Sequence, residues 1–294
     1  MKFSFQTIKH SILAPGNIFW QKRDGSKVLL NEKGDVLNFN LIKRLDEASS
    51  DLSIEDEIDF SIHAEVKALY EKYSEEVLMR KKIIWRDKLI EVMVKEFIKK
   101  ENNMQSELNQ IAWSLFSSFE FTEAIVFIER DSNLFKRNLS VASSYTFCAF
   151  LLGYYEPYFL NRLFNTTLKN LMSLGASERV FTLKEKLEYL RMQDSFSEED
   201  FEYIKEIAST EIISKTVVFE KYDGSGMRNL NSREMSDLEV VFIALSEMFS
   251  YSEATSKNAL LAIHDGSLNC QTRTLKMLQG VLNKKENEAA ELAA

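Results

Sequence analysis

Helix breakers are scarce in this chain: it has two prolines and nine glycines among 294 residues. Proline removes a backbone donor and clashes within a helix, and glycine costs about 1 kcal/mol there. Their rarity excludes loop-rich and collagen-like architectures. Only two cysteines occur, Cys148 and Cys270, which excludes a disulfide framework and points to a reducing compartment. A surplus of positive charge is missing too. Lys and Arg number 37 against 45 Asp and Glu, giving a net charge of -8. That balance speaks against bulk binding to nucleic-acid phosphates, although it leaves room for a local basic patch. The first residues turn polar at once, as Met1-Lys2-Phe3-Ser4-Phe5-Gln6, so a signal peptide is not expected and a cytoplasmic location is.

Large apolar side chains are abundant: 21 Phe and 10 Met within a 45% hydrophobic composition. Few breakers combined with many bulky apolar residues predict a mainly α protein with a sizeable core, about two domains by length. The richest apolar run, 141–160, carries Ser143, Ser144, Thr146, Glu156 and Pro157. It reads as a buried helix and not as a membrane span.

Residues 1–60 stand apart. Asp24-Gly25 lies between Ile18-Phe19-Trp20 and Val28-Leu29-Leu30, a β-hairpin signal, and Lys33-Gly34-Asp35 marks a second turn before Val36-Leu37. Phe39–Leu45 reads as a short helix. A small β-rich module of three to five strands is expected, with Phe19 and Trp20 in its core. Residues 49–59 are acidic and Ser-rich and read as a linker. Residues 61–124 read as a helical linker or dimerisation region. Within it Val66, Leu69, Tyr70, Tyr73, Val77 and Leu78 recur at three- and four-residue spacing. That stripe can pack on the chain's own helices or pair two chains as a homodimer. Residues 125–283 form a further helical domain, and 284–294 a polar, frayed tail.

A catalytic inventory is short. His10, His63 and His264 lie in three unrelated settings, with no His-x-x-x-His and no Cys-x-x-Cys spacing. There is no phosphate-cradling glycine loop and no nucleophile elbow. His264-Asp265 is reminiscent of a metal-binding pair. Followed by Gly266, however, it reads as a helix C-terminus with a left-handed glycine cap. The distinctive segment is Glu220-Lys221-Tyr222-Asp223-Gly224-Ser225-Gly226-Met227, a structured turn between two helical stretches.

That segment resembles the signature of the HD-GYP family of cyclic di-GMP phosphodiesterases, in which Lys/Arg-Tyr/Trp-Asp-Gly-Ser-Gly-Tyr-Pro follows His-His-Glu. Here Met227-Arg228 replace Tyr-Pro. Ser197–Glu206, Glu234–Glu239, Val241–Phe249 and Ala259–Gly266 fall in the order of the family's later helices, and Leu171–Gly175 takes the place of Leu-His-Asp-Ile-Gly. The resemblance spans roughly 125–283 and implies an HD-like helical bundle. It also implies where the family's metal ligands would lie, and these positions are altered. The first His falls near Arg137 or Asn138, and His-Asp becomes Met172-Ser173. The Lys after the following Gly becomes Ala176, the His of His-Pro becomes Ile207, and His-His becomes Val218-Phe219. The late Asp falls at Glu247, the one replacement able to bind metal. Met, Ile, Val and Phe do not hold iron or manganese.

The resemblance therefore implies a pseudo-enzyme: a bacterial, cytoplasmic signalling scaffold with no catalytic residues, metal or other cofactor. It would act through a protein partner such as a diguanylate cyclase domain. Tyr222, Asp223, Gly224, Ser225, Gly226, Met227 and Arg228 form the signature loop, which either contacts that partner or only joins two helices. A cyclic di-GMP receptor using Arg137, Arg179 and Arg228 is the alternative, and an active metal-dependent phosphodiesterase a further one. The cousin HDOD domains share a helical core without ligands, but the loop favours HD-GYP.

Overall fold

The computed structural model describes residues 11–48, 51–55, 60–98, 105–154, 156–175, 237–249, 258–268 and 272–291. These residues are mostly helical, with one small antiparallel sheet near the N-terminus.

The sheet has strands β1 (Asn17–Gln21), β2 (Lys27–Asn31) and β3 (Asp51–Glu55), in the order β2-β1-β3. Asp24-Gly25 forms the expected hairpin turn. Gly25 takes φ 84°, and Asp24 Oδ1 accepts from both the backbone and the hydroxyl of Ser26. Those two bonds favour the ionised carboxylate and lower its pKa. β3 corrects the linker reading of 49–59. Its acidity hides a period-two pattern in which Leu52 and Ile54 alternate with Asp51, Ser53 and Glu55. Trp20 faces Leu52 and Ile18 faces Ile54 across the ladder. Between β2 and β3 lies α1 (Phe39–Glu47), begun by Asn38, whose side chain accepts from Leu41 N. Ala14, Ile18, Leu37, Ile42 and Leu52 form the small core of this module, with Trp20 at its margin.

The module is clamped onto the helices. Gln110 Nε2 donates to Ala14 O at 2.6 Å, and Lys33 and Lys136 reach Glu107 and Asp35 at 2.9 and 3.0 Å. Gly34, at φ 73°, lies so close to the next layer that a Cβ would meet Ser106 Cβ at 2.7 Å. Only glycine fits that approach without displacement.

The helical body contains α2 (Phe60–Glu75), α3 (Met79–Phe97), α4 (Gln105–Phe116), α5 (Phe121–Arg130), α6 (Ser132–Leu152), α7 (Pro157–Gly175), α8 (Asp237–Met248), α9 (Ala259–His264) and α10 (Arg273–Glu291). α6 is the axis: every residue from Asn138 to Leu151 is buried. Helices α4, α5, α7, α8, α9 and α10 all pack around it. A single core cluster runs from Ile12 to Leu282 and joins side chains on both sides of residue 124. Phe116 anchors it, with edge-on contacts to Tyr70 and Phe147 at 5.4 Å. Each such buried ring contributes about 1.5–3 kcal/mol of transfer free energy.

The apolar run 141–160 is split between two helices. Gly153 ends α6 in the left-handed region at φ 102°, and Pro157 opens α7 at a first-turn position, where its missing N–H costs nothing. Among the described residues no helix is long and apolar enough to cross a membrane. The stripe along α2 is also divided. Val66, Tyr70 and Tyr73 are buried in the chain's own core, whereas Val77 is 91% and Leu78 59% exposed.

α4, α6 and α9 are tied by a buried polar seam. Gln105 Nε2 donates to Asn109 Oδ1 and Ser144 Oγ, Asn109 Nδ2 donates to Ser140 Oγ, and Ala259 N donates to Gln105 Oε1, all within 3.0 Å. Satisfied networks of this kind fix the register of neighbouring helices.

Candidate functional site

α6 begins where Asp131 accepts from Leu134 N at 2.9 Å. α7 runs back antiparallel beside it after the Gly153 turn. That pairing brings the start of α6 against the end of α7. There Asn138 Nδ2 donates to Met172 Sδ at 3.4 Å, and both residues are buried, at 3% and 1% exposure. Met172 is where the His of the His-Asp pair was expected, and Asn138 is, with Arg137, one of the two positions at which the first His was expected. The two residues lie 34 apart in sequence.

Arg137, one residue earlier, is partly buried. Burial disfavours its charge and lowers its pKa, and the nearby Asp131 carboxylate opposes the shift. Ser173 follows Met172 in α7. Glu247 lies in the last turn of α8, a helix fastened to α6 by the edge-on pair Tyr145–Phe242 at 5.5 Å. Ala176, Arg179, Ile207, Val218, Phe219 and the whole loop Tyr222–Arg228 fall outside the described residues, as does Cys270.

Asn138 and Met172 do not fit a divalent iron-type ion. The amide nitrogen is spent on the sulfur, and a thioether is a weak, soft donor where hard and borderline metals need imidazole or carboxylate. Among the described residues no group of three or more His, Cys, Asp or Glu side chains could hold a metal. His264 sits where the cap reading put it. α9 ends at His264, Gly266 follows at φ 72°, and Leu268 N donates to Ala262 O. The His264 carbonyl accepts from Gln279 Nε2 at 2.9 Å. Cys148 is fully buried in α6, where burial pushes its thiol up to about 12. A thiol so protonated is not a nucleophile.

Sequence reasoning missed Asn165. From the middle of α7 it accepts from Ser118 N at 2.8 Å and donates to Phe116 O at 2.7 Å, closing the end of α4. A polar hollow of about 250 Å³ lies beside it, between α7 and the turn into α5, lined in part by Ser118, Glu123, Lys169 and Asn170. No sequence signal marks a mid-helix asparagine for such a role.

Compared with family models, curated proteins and solved structures, the chain matches none.

Proposed function

We propose that this chain is a catalytically inactive HD-GYP-like scaffold that works through protein contacts. The carrying observation is the buried pairing of Asn138 with Met172. It supports an HD-like arrangement of α6 and α7, because Asn138, one of the two positions matched to the first His, meets Met172 in space. Their chemistry supports loss of the reaction. An amide and a thioether in a dry contact neither activate water nor polarise a phosphodiester.

The signature loop Tyr222–Arg228 then serves as the partner contact, with Tyr222, Met227 and Arg228 supplying the aromatic, soft apolar and cationic groups that dominate hot spots. A diguanylate cyclase domain is the candidate partner. Pull-down with the full chain tests this: wild type retains the partner, and Met227→Asp/Arg228→Glu loses it. An unchanged partner set would remove the loop from the contact. Calorimetry with cyclic di-GMP separates the receptor reading, since a scaffold gives no binding heat and a receptor does.

A further inference from the structure

The polar hollow beside Asn165 is set in a rigid frame. Asn165 spends both ends of its amide. Its Oδ1 accepts from Ser118 N at 2.8 Å, and its Nδ2 donates to Phe116 O and Asn161 O at 2.7 and 2.6 Å. These bonds stitch the turn 117–120 to the middle of α7. On the α5 side, Glu123 Oε2 accepts from Glu120 N at 3.2 Å, which anchors the carboxylate on the first turn of the helix. Phe119 supplies an apolar wall and is itself held in place, stacked on Trp113 at 5.9 Å and edge-on to Phe127 at 6.0 Å. The remaining lining side chains are hydroxyls, amides and charges.

One amide in this lining is unspent. Asn170 is 4% exposed, and its buried Nδ2 has no hydrogen-bond partner among the described residues. A buried donor left without an acceptor is costly, and an oxygen placed in the hollow would relieve that cost. Lys169 and Glu123, by contrast, are exposed. The orphan amide therefore lies at the inner end and the two opposite charges at the mouth. Counting the next charge back along each element, Arg162 and Glu120, gives two cations and two carboxylates, so neither sign dominates.

We infer that this hollow binds a free α-amino acid with a short, oxygen-bearing side chain. The ligand's carboxylate pairs with Lys169, its ammonium pairs with Glu123, and its side-chain oxygen accepts from Asn170 Nδ2. A simple anion would be repelled by Glu123 and a simple cation by Lys169, so the mouth favours a molecule carrying both charges. The polar lining with its single ring disfavours an apolar side chain. The volume of about 250 Å³ lies just under the ~300–1,000 Å³ of sites for drug-sized ligands, which suits an amino acid and is too small for a cyclic dinucleotide. This inference is independent of the scaffold reading.

Titration calorimetry on the full chain tests it with L-serine, L-asparagine and L-glutamine. At least one should bind, and more tightly than L-alanine, which lacks the side-chain oxygen. Analogues of the bound amino acid that lack the carboxylate or the ammonium (ethanolamine and glycerate, for serine) should bind about tenfold more weakly or worse. Lys169→Gln and Glu123→Gln should each weaken binding about tenfold. Both side chains are exposed, and the glutamine at 123 keeps an acceptor for Glu120 N, so the urea midpoint should not move. Asn170→Leu should erase the preference over L-alanine. Absence of binding by all three amino acids overturns the inference, and so does equal binding of the analogue missing either charge. Binding that is unchanged in both Lys169→Gln and Glu123→Gln overturns it too, and would leave Asn170 to an ordered water.

Discussion

At one end of the α6–α7 pair, a polar amide is buried against a thioether; toward the other, Val77, Leu78, Met79, Ile83 and Ile84 stand exposed among charges of both signs. The two ends depart from ordinary burial in opposite directions, and each departure carries more information than the well-packed middle. An apolar core explains only that the chain folds. A buried amide with a weak partner and an exposed Val-Leu-Met tip both cost stability or solubility, so each calls for a reason beyond folding. At the first end the reason proposed is descent from a metal centre whose ligands were replaced.

The sharpest way to break this contrast is to put a charge at each end. Met172→Asp places a carboxylate at a fully buried position. The expected cost is about 3 kcal/mol or more, read from the urea midpoint. A cost under about 1 kcal/mol would mean that water reaches this end and the centre is open. Next in size is Arg86→Ala, which uncovers the Phe150 and Leu151 carbonyls at the opposite end of α6. It should cost about 2 kcal/mol, because charge-assisted bonds are lost and their acceptors stay partly buried.

Cys148 probes the middle of the same helix through pH. Its folded pKa is raised, to about 12. The unfolded thiol ionises near 8.5, so the stabilising difference is complete below that pH and is lost as pH rises toward the folded value. Between pH 8.5 and 9.5 wild type should lose about 1 kcal/mol more than Cys148→Ala, in parallel denaturant titrations. The smallest expected effect is Val77→Asp, within about 0.5 kcal/mol of wild type, because the side chain touches almost nothing. A large loss there would mean that the tip is packed.

How much of this was legible in the sequence differs by region. The hairpin at Asp24-Gly25, the helix from Phe39 and the helical character of the body followed from turn chemistry, periodicity and the lack of breakers. β3 was hidden because its outward residues are acidic, and net charge drowned a short alternation. The division of the 141–160 run depended on Gly153 adopting positive φ, which composition does not show. Val77 and Leu78 continue an apolar spacing past the end of α2. Periodicity could not tell that the helix stops at Glu75 and leaves them outside. The meeting of Asn138 and Met172 was not legible, since neither residue type signals chemistry alone. Asn165 was invisible, because its importance lies in which carbonyl happens to end α4 nearby.

Metal content tests the central claim most directly. The full chain would be expressed in medium supplemented with iron and manganese, purified without chelators and assayed by elemental mass spectrometry. A centre built on Asn138 and Met172 should retain less than about 0.1 equivalent of any transition metal. About two equivalents, bound and resistant to dialysis, would contradict the scaffold reading and call at once for an assay of cyclic di-GMP hydrolysis.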